Sequence, residues 1–206
     1  AQQKQLQTAV IDSVFIGGGT PTSLSPANAA RLLQGIKECF HLAADCELTL
    51  EGRIHDLVPE KIETWLKYGV NRISLGVQSF DTSLRRRVGR IDAREEVLRR
   101  LELLKSYDVT VIVDLIYGLP GETDERWKRD LQQAVSLGVE HISAYHLTYE
   151  EGTRIYKMLQ AHRICEVDEE SSVRFFSTLI DTLDAAGYEH YEISNFCKPG
   201  MYSRHN

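Results

Sequence analysis

Apolar, strand-like runs return along the chain at intervals of roughly 30 residues, and each gives way to a segment with helical apolar spacing. Val10–Ile16 reads as a buried strand, apolar throughout except at Asp12-Ser13. Ser25-Pro26 then offers an N-cap serine and a proline at the first helical position, and Ala29, Leu32, Leu33, Ile36 and Phe40 fall on one helical face. A second strand, Cys46–Leu50, is followed by a helix over Pro59–Tyr68 that Gly69 ends. Val70–Val77 is the third strand, and a longer helix after it carries Val97, Leu98, Leu101 and Leu104 inward. Val109–Val113 is the fourth; Trp127, Leu131 and Val135 mark the next helix, closed by Gly138; Glu140–Tyr145 is the fifth. The polar, glutamine-rich residues 1–9 read as the solvent side of a helix.

Beyond Tyr149 the alternation loosens. Thr153–Ala161 and Ser172–Ala186 read as helices, the second with Val173, Phe176, Ile180 and Leu183 on one stripe, and Tyr188–Ile193 reads as a last strand. Alternating β and α units imply a parallel sheet with right-handed crossovers. Five such strands are too few for a closed eight-stranded barrel. The expected fold class is therefore α/β, a partial, open parallel β/α barrel over residues 1–150, with the start of a C-terminal α+β accessory region over 151–206.

The strand ends share a chemical character. They are Gly17-Gly18-Gly19-Thr20-Pro21, Glu51, Gln78, Asp114 and His146-Leu147-Thr148. In a parallel barrel such tips converge on one face, so five scattered positions become one candidate site. The triple glycine lets backbone N–H groups approach a ligand and suits a carboxylate, a phosphate or an amino-acid backbone; without a ligand it would be a tight strand–helix turn. It lacks both the P-loop ending and the dinucleotide-binding spacing. Glu51, Gln78 and Asp114 add acceptors for a ligand rich in N–H, O–H and ammonium groups, and Arg90 is placed to pair with a ligand carboxylate. Taken singly, each has an ordinary alternative as a cap or loop anchor. An ordinary β/α barrel working on a phosphorylated metabolite, with Glu51 and Asp114 as acid and base, is also open at this point.

Charge and cysteine usage narrow the class. With 24 basic and 30 acidic residues the formal net charge is −6, which argues against a general nucleic-acid binder. The run Arg85-Arg86-Arg87 reads as a solvated helix face. No apolar stretch approaches the ~20 residues of a membrane span and no signal-peptide pattern precedes the first strand. Cys39, Cys46, Cys165 and Cys197 lack paired short spacing, so they read as reduced thiols in a cytoplasmic protein. His141 and His162 read as surface or hydrogen-bonding residues; His146 and His55 stand near the candidate face.

Three long stretches resemble one family: Phe15-Ile16-Gly17-Gly18-Gly19-Thr20-Pro21-Thr22, Asn71-Arg72-Ile73-Ser74-Leu75-Gly76-Val77-Gln78-Ser79-Phe80, and Asp114-Leu115-Ile116-Tyr117-Gly118-Leu119-Pro120-Gly121-Glu122-Thr123. It is the radical S-adenosylmethionine family of oxygen-independent coproporphyrinogen III oxidases and their heme-chaperone relatives. The closing Tyr191-Glu192-Ile193-Ser194-Asn195-Phe196, with Pro199-Gly200 and Ser203-Arg204-His205-Asn206, is similar to the chaperone branch, where the His-Asn pair opens a heme-binding motif. The resemblance implies that Gly18, Gly19 and Thr20 hold the methionine end of S-adenosylmethionine. It also implies that Glu51, Gln78, Arg90 and Asp114 complete the pocket with Thr148 beside it, and that His205 is a heme-site candidate.

The chain departs from the family in two places. The cluster-binding Cys-x-x-x-Cys-x-x-Cys spacing does not occur, and a [4Fe–4S] cluster open to a cofactor needs three close thiolates. The expectation is a fragment whose intact parent carries the cluster upstream. Glu51-Gly52-Arg53-Ile54-His55, where many relatives have x-Asn-Pro after the glutamate, resembles a branch linked to anaerobic heme breakdown. The resemblance thus implies heme or another tetrapyrrole as partner, and heme-accepting apo-proteins if the parent is a chaperone. A radical enzyme acting on a tetrapyrrole, by oxidative decarboxylation or heme breakdown, is the alternative.

Overall fold

The computed structural model describes residues 9–206; the helix expected over residues 1–9 falls almost wholly outside them. In chain order the elements are β1 (Ile11–Ile16), α1 (Pro26–Cys39), β2 (Leu42–Gly52), α2 (Pro59–Lys67), β3 (Arg72–Gln78), α3 (Thr82–Arg87) and α4 (Arg94–Lys105). They continue with β4 (Thr110–Tyr117), α5 (Asp124–Leu137), β5 (His141–His146), α6 (Arg154–Gln160), α7 (Glu169–Ala185), β6 (Glu189–Glu192) and β7 (Asn195–Cys197). Among the described residues the strands form one sheet in the order β1-β2-β3-β4-β5-β7-β6. β1 to β5 pair parallel, and β7 returns antiparallel against β5. This is an open half-barrel.

Alternation within each strand builds its two faces. Ile73, Leu75 and Val77 of β3, Val111, Val113 and Leu115 of β4, and Ile142 and Ala144 of β5 join the apolar core with Leu33, Trp65, Leu101 and Trp127 from the helices. The intervening positions, Ser74, Asp114, His141 and Ser143 among them, line the concave inner face. The core is therefore a layer between sheet and helices, and the lumen is polar.

The helices obey their local signals. Ser25 accepts the Asn28 N–H at 3.3 Å and Pro26 opens α1. Thr123 caps α5, which ends on Gly138 in the left-handed region (φ 64°). Trp127 donates from its indole to the Phe175 carbonyl at 2.9 Å, joining α5 to α7.

Four expectations are corrected. β2 starts at Leu42 and β4 runs on to Tyr117, so Asp114 lies inside its strand and not at the tip. The single last strand is a hairpin, because Ile193-Ser194 turns the chain and β7 finds the free edge of β5. Leu32 and Val173 point outward, at 39% and 59% exposure, while Leu33 and Leu183 are buried as expected and Phe175 joins the inward stripe of α7. Arg85 is buried at 1%, not solvated. It donates to the carbonyls of Val77, Ser79 and Asp92, which end β3 and shape the loop after α3. Burial pulls its pKa down to about 10 against the pull of Asp92.

Candidate functional site

The loop after β1 is held against the end of β2. Gly18, at φ 104°, donates its N–H to the Glu51 carboxylate at 3.3 Å. Thr22 donates its hydroxyl to Asp56 at 2.9 Å and receives the Arg53 N–H at 3.2 Å, while Lys61 bonds the Thr22 carbonyl at 2.7 Å. Close approach at this crossing requires Gly52: a Cβ there would stand 2.7 Å from the Thr22 hydroxyl and nearer still to its methyl. Hydrogen bonds from Arg53 and Thr22 and the charge of Lys61 keep the Asp56 pKa below its usual range despite burial.

On β3 and β4 the same economy of side chains makes room. A Cβ on Gly76 would lie 2.8 Å from Gln78 Nε2 and 3.3 Å from the Arg90 guanidinium. Gln78 adopts φ 69°, rare for a residue with a side chain, where the β3–β4 register shifts. Its Oε1 is buried without a hydrogen-bond partner. Asp114 accepts the Ser74 hydroxyl at 3.0 Å, and burial pushes its pKa up to about 6 against the relief given by Ser74, Ser143 and Arg90.

One cavity of about 130 Å³ is lined by Gly19, Thr20, Glu51, Gln78, Arg90 and Asp114, with Gly52, Arg53 and Gly76. The fold thus gathers these six expected residues, and Gly18 touches the group through Glu51. Thr148 stands exposed beyond β5 and does not line this cavity. Glu51 and Asp114 also line a larger cavity of about 340 Å³ in the lumen, where His205 and Asn206 lie. Sequence reading passed over Gly52, Gly76, Ser74 and Ser143; a lone glycine inside a strand is a signal of close approach.

The Gly-Leu-Pro-Gly-Glu-Thr stretch is a turn holding itself together. Glu122 accepts the N–H groups of Gly118 and Leu119 at 2.6 and 3.2 Å, and burial raises its pKa to about 8. Arg87 donates to the Pro120 carbonyl at 2.6 Å. His146 contacts Ser172 at 3.1 Å, and buried His141 meets the Tyr191 hydroxyl at 2.7 Å.

The donor set fits a small ligand that offers ammonium and hydroxyl groups to Glu51 and Asp114, a carboxylate to Arg90 and an N–H to Gln78. It does not fit an iron–sulfur cluster. Cys39 ends α1, Cys46 lies in β2, Cys165 follows α6 and Cys197 is buried in β7, all as free thiols. Among the described residues no helix is long and apolar enough to cross a membrane.

Comparison with known proteins agrees with this architecture. The profile of the Radical SAM superfamily matches residues 2–134. Heme chaperone HemW of Bacillus subtilis (strain 168) is 35% identical over 198 residues, covering 95% of this chain and 52% of the relative. HemW of Escherichia coli (strain K12) is 36% identical over 201 residues, covering 95% and 51%. The chain therefore spans about half the length of these curated relatives. Among solved structures, coproporphyrinogen III oxidase (HemN) from Escherichia coli, described as a radical SAM enzyme, superposes with a TM-score of 0.83 at 24% identity, covering 97% of this chain and 46% of that one.

Proposed function

Because this chain belongs to the radical S-adenosylmethionine superfamily, we propose that its strand-tip cavity binds S-adenosylmethionine and that the protein carrying it is a heme chaperone. The observation that carries the first half is the unpartnered, buried Oε1 of Gln78 beside Arg90, Asp114 and Glu51 in one cavity with the glycine loop. A polar atom buried without a partner costs about 1–3 kcal/mol, which a ligand N–H relieves. Gly18, Gly19 and Thr20 hold the methionine end. Glu51 and Asp114 accept from its ammonium and from ribose hydroxyls, Arg90 takes the carboxylate, and Thr148 stands beside the pocket. When bound, S-adenosylmethionine supplies a sulfonium whose carbon–sulfur bond is open to one-electron reduction. In the superfamily a [4Fe–4S] cluster provides the electron; this chain's thiols do not hold one, so its own residues bind and orient and do no more.

The second half rests on the relatives named heme chaperones at 35–36% identity. The oxidase likeness, at 24% identity, speaks to fold alone. In this reading His205, in the lumen, contacts heme, heme-accepting apo-proteins are the partners, and the cytoplasm is the compartment. Calorimetric titration of the full chain with S-adenosylmethionine tests the cavity: Asp114→Ala is expected to weaken binding about tenfold, the loss of one charged partner. Equal affinity in the variant removes Asp114 from the pocket.

A further inference from the structure

The last eight residues do not trail away from the sheet; they cross the end of the half-barrel opposite the strand-tip cavity and turn into the lumen. Two buried groups fasten them. Arg72 and Glu47, 4% and 8% exposed, pair at 3.3 Å. Arg72 also donates to the carbonyls of Met201 and Tyr202, at 3.1 and 3.2 Å. Glu47 accepts the Ser203 hydroxyl at 3.3 Å and the Arg204 N–H at 3.2 Å. Ser203 in turn receives the His205 N–H at 3.3 Å. At the far end of this chain of bonds the His205 ring stacks on Phe15, centroids 4.5 Å apart and planes 21° from parallel.

Tyr191, from the β6–β7 hairpin, is the second fastening. Its hydroxyl accepts the Ser203 N–H at 3.3 Å and the Asn206 side-chain amide at 3.0 Å. With two donors already on the oxygen, its own proton goes to His141 Nε2, 2.7 Å away. That arrangement uses the neutral His141 tautomer with its proton on Nδ1, a buried atom that has no partner of its own, and burial beside Arg72 pulls the His141 pKa down to about 3. Asp114, Glu51, Tyr145 and His205, the titratable groups that line the lumen with His141, make no hydrogen bond to the Tyr191 hydroxyl.

We propose that Tyr191, braced by His141 and assisted by the Glu47–Arg72 pair, is the positioning residue that sets the His205–Asn206 pair in the lumen for contact with the tetrapyrrole. The inference rests on the reading of His205 as a heme contact, but the clamp itself is a property of the heme-free chain. A hydroxyl shared by two segment donors and one sheet acceptor fixes the segment in one place, and ordering it beforehand lowers what a ligand must later supply.

Two readouts on the full chain separate the clamp from the heme contact. In the heme-free protein, native-state hydrogen exchange at the Ser203, Arg204 and His205 amides reports the clamp. Tyr191→Phe keeps the ring and is expected to speed exchange there roughly tenfold, the loss of a net hydrogen bond. Glu47→Gln is expected to do the same from the other side. Titration with ferric heme, followed by its Soret band and low-temperature electron paramagnetic resonance, reports the contact. Tyr191→Phe is expected to change the spectrum in the same sense as His205→Ala and to weaken binding by roughly tenfold. Unchanged exchange in both variants overturns the clamp. Faster exchange with a wild-type heme spectrum, where His205→Ala does alter that spectrum, overturns the positioning role. If His205→Ala leaves heme binding untouched, the heme reading of His205 fails together with the positioning role, while exchange still decides the clamp.

Discussion

A carboxyl buried as Asp114 is, with Glu51 nearby and in spite of the Ser74 donor, gives up its proton only near pH 6. Its folded pKa lies above that of the unfolded chain, so ionisation opposes folding. The stability it withholds is lost as pH rises from the usual carboxylate range to about 6, and stays lost above. A cationic or N–H-rich ligand reverses this locally by favouring the charged form. The affinity for S-adenosylmethionine is therefore expected to climb between about pH 5 and about pH 7 and to lose that climb in Asp114→Asn. Titration calorimetry at several pH values checks it; a flat wild-type profile would show that Asp114 is not the acceptor. Arg85 makes the complementary point. A run of three arginines looks like solvated surface, yet its first member is buried under three carbonyls, because α3 sets it inward where β3 ends.

At the scale of the element, the site depends on two places where one segment crosses another without a side chain between them. Gly52 lets β2 pass under Thr22, and Gly76 leaves Gln78 and Arg90 their space. Gly52→Ala is expected to destabilise the fold by about 1–3 kcal/mol through overpacking, since Thr22 is itself tied to Asp56 and Arg53 and cannot move freely. Because Thr22 continues the glycine loop, the same variant is expected to weaken cofactor binding. Urea denaturation and calorimetry measure both; a wild-type midpoint would mean the crossing relaxes at no cost. The turn of Gly118–Thr123 works differently. There Glu122 replaces a ligand with its own carboxylate, holding two backbone N–H groups.

Across the whole molecule, five parallel strands frame the candidate cavity and the antiparallel hairpin extends the sheet beyond β5. Much of this was legible in the sequence. The strand–helix repeat pointed to the half-barrel, and Gly19, Thr20, Glu51, Gln78, Arg90 and Asp114 meet in one cavity, although Asp114 sits inside its strand and Thr148 stands outside the group. Two features were hidden for physical reasons. The polar lining of the lumen sits every second residue inside runs that look apolar, so Ser74 and Ser143 were masked by Leu75 and Ile142. The C-terminal fastening joins Glu47 to Ser203 and Arg204, far apart in the chain, and no local pattern announces a contact of that range. The cavity lined by Glu51, Gln78, Arg90 and Asp114 beside the glycine loop is the proposed seat of S-adenosylmethionine. Amide chemical-shift mapping of the full chain during titration with S-adenosylmethionine tests it most directly. One saturable curve shared by Gly18, Gly19, Thr20, Glu51, Gln78, Arg90 and Asp114 is expected. Saturable shifts confined to any other surface, or none at these residues, would contradict it.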